Sequence, residues 1–155
     1  MAIDSLKNIR FHYLVKPFFF LNRKKVRVFL GELFSKEGKH PAAIDYIFCA
    51  DKYLLDINRK FLRHDYYTDI ITFDLSENHS RVIGEIYISV DRVKENARSM
   101  NYPFRTELLR VIFHGALHLC GHSDKTKSQR AAMRALEDKY LNSFLTKRDK
   151  FHVKQ

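Results

Sequence analysis

Three of the eight histidines in this 155-residue chain fall within nine positions, in the segment His114-Gly115-Ala116-Leu117-His118-Leu119-Cys120-Gly121-His122-Ser123-Asp124. His114 and His118 stand four apart in an apolar stretch. On a helix that spacing projects both imidazoles from one face, at bonding distance to a shared ion. Gly121 suits the positive φ that ends a helix and turns the chain back, which brings either His122 or Asp124 towards the same point. A single histidine on an apolar helix is ordinarily a satisfied core residue. A pair at this spacing, followed by a glycine turn and an acid, reads as a metal site.

A His pair, a glycine turn three residues on and a third ligand six residues after the second His is the spacing of a metzincin-type zinc site. Position 124 meets it, with Asp where His is usual, so the predicted set is His114, His118 and Asp124 around one Zn²⁺. Ni²⁺, Co²⁺ or Mn²⁺ suit the same donors. His122 stays open as a ligand, a supporting group or a substrate contact, and Asp124 has a competing role as a helix cap. Cys120 points away from the histidine face and reads as a small hydrophobe. A zinc peptidase of the His-Glu-x-x-His type needs a glutamate after the first histidine, and that position is Gly115. Without that base, an ion held here is better suited to act as a Lewis acid on a phosphodiester.

The charge agrees. The chain carries 28 Lys and Arg against 18 Asp and Glu, a net +10, and its pI is near 9.7. Residues 1–30 and 125–155 each hold a net +6, while the middle is slightly acidic. If the ends meet in space they form an electropositive face for RNA or DNA; otherwise they serve solubility. Phe11, Tyr13 and Phe18 to Phe20, near these basic residues, read either as stacking platforms or, more commonly, as core. Two cysteines make no disulfide framework, which points to a reducing, cytoplasmic setting. The run Phe18 to Leu21 is too short for a membrane span, and its brackets, Lys16-Pro17 and Arg23-Lys24-Lys25, do not read as those of a signal peptide.

The elements that must position the histidines follow from periodicity. Arg10–Val15 reads as a strand. Asn22 caps a helix with Val26, Phe29, Leu30, Leu33 and Phe34 inward, ending at Gly38. Ala43–Cys49 is a second strand, and Asp51 caps a helix burying Leu54, Leu55, Ile57 and Phe61. Thr68–Leu75 and Val82–Ser89 form a hairpin across a polar loop. A helix with Val90, Val93, Ala97 and Met100 on one face comes next. Pro103 opens the histidine helix, and a last helix from Thr126 or Ser128 buries Met133, Leu136, Tyr140 and Phe144. The expectation is one α+β domain over 1–155: a small mixed sheet with helices packed on it, and the metal site on a central helix and the turn after it.

The histidine segment resembles the hallmark H-G-x-L-H-L-x-G-x-x-H of the YbeY family, bacterial single-strand-specific metallo-endoribonucleases of ribosomal RNA maturation. Ile57-Asn58-Arg59-Lys60-Phe61-Leu62-Arg63-His64-Asp65-Tyr66-Tyr67-Thr68-Asp69 resembles its L-N-x-x-Y-R-x-x-D-x-P-T-D stretch, and Ile83-Gly84-Glu85-Ile86-Tyr87-Ile88-Ser89 its L-G-D-I-x-I-S strand. Asp124 replaces the family's third histidine, and Leu62 stands where the family has arginine. The resemblance implies a zinc-dependent endoribonuclease acting on single-stranded RNA, in maturation of the 16S rRNA 3′ end and ribosome quality control. It also implies the small ribosomal subunit and assembly factors as partners, and no membrane. In that reading His114 serves both as ligand and as part of the catalytic centre, with Arg59 or Arg63 supplying the missing guanidinium. The alternative is a non-catalytic RNA-binding ribosome-assembly factor with a structural metal, which a closed site of four ligands including His122 would favour.

Overall fold

The computed structural model describes residues 6–16 and 22–145. Four strands, β1 (Ile9–Tyr13), β2 (His40–Cys49), β3 (Ile70–Asp74) and β4 (Arg81–Ser89), form one sheet in the order β1-β2-β4-β3. β1, β2 and β4 run parallel and β3 is antiparallel to β4, with Ile9 opposite Ile44, Ile44 opposite Gly84 and Ile70 opposite Ile88. The helices packed around the sheet include α1 (Arg23–Lys36), α2 (Asp51–Leu62), α3 (Val90–Met100), α4 (Phe104–Leu119) and α5 (Lys127–Phe144). The α+β class and the mixed sheet are as the sequence predicts. Among the described residues no helix is long and apolar enough to cross a membrane.

α4 is the central helix. It buries residues around its whole circumference, Leu108, Val111, Ile112, Phe113, Ala116 and Leu117 among them, as a helix enclosed by other elements must. Phe29 of α1, Phe113 of α4 and Phe144 of α5 meet with ring centroids 5.1–5.9 Å apart and bind three helices into one core. The Tyr46 hydroxyl, fully buried, donates to the Ile112 carbonyl at 2.7 Å and fixes the helix over β2.

The cap chemistry is mostly as expected. Asn22 accepts from the Lys25 amide, and Thr126 forms a capping box with Gln129. Asp51 is the exception, because Ala50 holds the cap position of α2. The Asp51 carboxylate instead accepts from the Ser89 hydroxyl and the Arg92 guanidinium, tying α2 to α3. β1 stops at Tyr13, although the Leu14 amide still donates to the Phe48 carbonyl. Phe61 and Met100 continue their helices' apolar spacing yet are exposed, both in the last turn. Phe11 and Tyr13 pack on the core against Tyr46 and Phe48, whereas Phe18 to Phe20 lie outside the described residues. The described parts of the two basic ends do meet, since Lys25 Nζ lies 4.9 Å from the Phe144 ring centroid.

Gly115 lets α4 lie close against the sheet. A Cβ at Gly115 would stand 2.8 Å from Ile86 Cγ2 and 3.0 Å from Ile70 Cδ1. The position that carries the base in a peptidase helix is here pressed against β3 and β4, with no space for a side chain. Gly115→Ala is expected to lower stability by roughly 1–3 kcal/mol through overpacking, measured by urea denaturation. A variant as stable as the original chain would show that the helix can lift without cost.

Candidate metal centre

α4 presents His114 and His118 from one face, with ring centroids 4.5 Å apart and planes at 81°. The helix then closes in a Schellman motif: the Gly121 amide donates to the His118 carbonyl and the His122 amide to the Leu117 carbonyl. Gly121 takes φ of +101°, a conformation that a side chain would disfavour. The returning chain delivers Asp124, whose Oδ2 lies 3.3 Å from Nε2 of His114 and 3.3 Å from Nε2 of His118. All three donor atoms lie within 4.8 Å of one another. An ion bonded tetrahedrally at about 2.1 Å separates its donors by roughly 3.4 Å, so the two imidazoles and the carboxylate fit a divalent transition metal.

The support behind the donors is as specific. His114 Nδ1 donates to Glu137 Oε2 at 2.6 Å, which leaves Nε2 with its lone pair turned towards Asp124. Glu137 is buried on α5, and its other oxygen accepts from Arg110 Nη1 at 3.3 Å; Arg110 Nη2 also lies 2.8 Å from Asp138 Oδ1. Burial alone would lower the pKa of His114, but the Glu137 hydrogen bond and the charges of Glu137, Asp124 and Asp69 raise it. His118 is shifted down, by burial and by the charge of His114.

His122 is committed elsewhere. Its Nε2 lies 2.6 Å from Glu37 Oε1, while the Tyr140 hydroxyl donates to Glu37 Oε2 at 2.6 Å. Burial would raise the Glu37 pKa, but these two hydrogen bonds hold it below the usual carboxylate range. His122 therefore fastens the turn to the end of α1. Cys120 packs at the edge of the core, with its thiol pushed up to about 12 by burial and by Glu37.

The three donors line an open cavity of about 660 Å³ that runs to the end of α2 and the loop after it. Arg110, Arg134, Asp69, Glu107 and Glu137 line it too. Arg59 and Arg63 are not among the lining residues, although their sequence neighbours Asn58, Leu62 and His64 are, so this segment forms a shoulder of the cavity. Arg59 is paired with Asp65, and Arg63 ends α2 in the left-handed conformation, exposed. Glu137 and Arg134 are site residues that no motif in the sequence marks. The signal for Glu137 was present, since it interrupts the α5 stripe between Met133 and Tyr140, where a polar residue needs a buried partner. Glu107 and Arg110 likewise break the apolar run of α4. Glu107 is 4% exposed, and its Oε1 has no hydrogen-bond partner among the described residues. Burial, with the charge of Asp69, pushes its pKa from 4.5 up to about 7 against the pull of Arg110 and Arg134.

Comparison with known proteins gives one consistent result. A family model described as endoribonuclease YbeY matches residues 21–145. A Cytophaga hutchinsonii protein named endoribonuclease YbeY is 49% identical over 120 residues, covering 77% of this chain and 84% of its own. A Porphyromonas gingivalis protein of the same name is 49% identical over 121 residues, covering 78% and 80%. A solution structure of a Thermotoga maritima protein superposes with a TM-score of 0.63 at 31% identity, over 88% of each chain.

Two outcomes are expected. Asp124→Ala should strip most of the metal from protein purified with zinc, and Glu137→Gln should weaken metal affinity about tenfold or more. His122→Ala should leave the metal content near stoichiometric in the same elemental assay; the reverse pattern would make His122 the third ligand. Separately, Glu107 favours its protonated form in the folded chain. The stability this confers is present below about 4.5 and lost as pH rises through about 7. Glu107→Gln should therefore gain on the original chain, by up to about 3 kcal/mol, between about pH 5 and about pH 8 in urea titrations. A pH-independent difference would place the titration elsewhere.

Proposed function

The chain belongs to the endoribonuclease YbeY family, and from that premise we propose that it is a zinc-dependent endoribonuclease of single-stranded RNA. In this reading it is one cytoplasmic domain over residues 1–155. It acts in maturation of the 16S rRNA 3′ end and in ribosome quality control, together with the small ribosomal subunit and its assembly factors. The observation that carries the reading is the committed state of His122. With His122 bound to Glu37, three donors, His114, His118 and Asp124, face the cavity, the arrangement of a catalytic rather than a closed structural zinc site. That weighs against the non-catalytic assembly factor. The burial of Gly115 against Ile86 weighs against a peptidase.

A divalent ion held there supplies a Lewis acid for a phosphoryl oxygen. The chain's own groups do the rest. Glu137 holds the His114 ring in one orientation through its Nδ1 proton. Arg134, half exposed on the cavity wall and 4.0 Å from Glu137, places a guanidinium where phosphate charge builds up. Arg59 and Arg63 hold backbone phosphates of the strand at the shoulder, where releasing Asp65 frees the Arg59 fork for bidentate contact. The net +10 supplies long-range attraction for the polyanion.

Metal-loaded protein should cleave a single-stranded oligoribonucleotide and spare the same sequence in a duplex. Arg134→Ala, and separately Arg59→Ala with Arg63→Ala, should keep full metal content and cut cleavage by about two orders of magnitude. Cleavage at the original rate would remove that residue or pair from the reaction. A fully loaded original chain that never cleaves single-stranded RNA would decide for the assembly factor.

A further inference from the structure

Nine large hydrophobic side chains are exposed among the described residues, and four of them, Phe61, Leu62, Tyr66 and Tyr67, fall within seven consecutive positions. Such clustering on a charged surface marks an interaction site. The segment is held rather than loose. Asn58, 1% exposed, donates from Nδ2 to the Tyr66 carbonyl at 2.9 Å, and its own carbonyl accepts from the His64 amide. Arg63, at φ of 55°, makes the turn between helix and loop.

Two of the rings in this segment are already arranged as a stack. The His64 and Tyr66 centroids lie 5.2 Å apart with planes at 20°, and the Tyr66 hydroxyl and His64 Nδ1 share a hydrogen bond of 3.0 Å. Tyr66 is 56% exposed. Both rings, together with Leu62, line the same cavity as His114, His118 and Asp124. Basic groups lie close by, with Arg63 between Leu62 and His64 in sequence, Lys60 5.5 Å from the Phe61 ring centroid and Arg92 5.0 Å from that of Tyr67; of the nearby acids, Asp65 is paired with Arg59 and Asp51 with Arg92.

We propose that the His64–Tyr66 ring pair is a base-stacking platform, which receives one unpaired RNA base at the mouth of the metal cavity while neighbouring cations hold the flanking phosphates. The inference rests on the RNA substrate of the preceding section and adds how the strand is selected. A flat exposed ring can be covered by a base of any identity, so the contact is indifferent to sequence. It requires the base to leave its duplex, so paired RNA gains nothing from it. Because Asn58 and the His64 contact already orient Tyr66, little side-chain freedom is lost on binding. Charge favours a polyanion over a second copy of this basic chain as the occupant.

The test is equilibrium binding of a fluorescently labelled 2′-O-methyl oligoribonucleotide, single-stranded or in duplex, to the metal-loaded full chain. Tyr66→Ala should weaken single-strand binding about tenfold, leave duplex binding unchanged and retain full metal and an unchanged melting temperature. Tyr66→Phe, which keeps the ring, should restore most of the loss. An oligonucleotide with abasic positions throughout should bind the original chain and Tyr66→Ala alike. Equal single-strand affinities for the original chain and Tyr66→Ala would overturn the platform while leaving the nuclease reading intact. Loss of self-association rather than of RNA affinity in Tyr66→Ala, read by sedimentation, would make the patch a protein interface and also overturn it. An original chain that binds no RNA would overturn both.

Discussion

The close approach of α4 to the sheet at Gly115 is the constraint on which the rest hangs. With no side chain between them, helix backbone and Ile86 are in direct contact. The residues on either side then have fixed fates. Ala116 and Leu117 are buried, whereas His114 and His118 remain partly accessible on the cavity side. The same contact sets the height at which the Schellman turn leaves the helix, and hence where Asp124 arrives. A metal held by such a trio would tolerate errors of a few tenths of an ångström, and a packed core supplies that precision better than a loop can.

Behind the donors lies a buried network that does not look like an economy of stability. Arg110, Glu137 and His114 form a chain of charge-assisted hydrogen bonds, anchored at its outer end by Asp138. Burying such groups is costly, and a hydrophobic replacement of the whole set could stabilise the fold as well. What the network contributes is direction. It assigns the proton to His114 Nδ1 and turns Nε2 to the cavity, which no apolar residue could do. The Glu37, His122 and Tyr140 set does comparable work on the other side of the turn, joining α1, α5 and the loop that carries Asp124.

The distribution of charge makes sense on the same frame. The core of the cavity is rich in acids, with Asp69, Glu107, Glu137 and Asp124 lining it, and is suited to a cation. Arg110 and Arg134 stand among these acids, and further basic residues are carried by α1 and the end of α2. The net +10 draws a polyanion to the surface as a whole.

The local parts of this protein are legible in its residue pattern. Period and caps are enough for most elements, and the spacing of His114 and His118 with a glycine turn after them is enough to expect the two imidazoles on one face with the chain returning beside them, because a helix turn and a Schellman closure are short-range geometry. Which of His122 and Asp124 faces the cavity is not a local matter. It depended on Glu37, 85 residues away from His122, occupying the imidazole. The support from Glu137 comes from 23 residues beyond His114 on another helix, so only a one-residue break in the α5 stripe hinted at it. Arg59 and Arg63 could be named but not aimed, since their direction depends on where α2 stops and how Asp65 folds back. Hydrogen bonds and ion pairs between distant segments are decided by how the helices dock on the sheet, and that docking is a property of all the packed side chains at once.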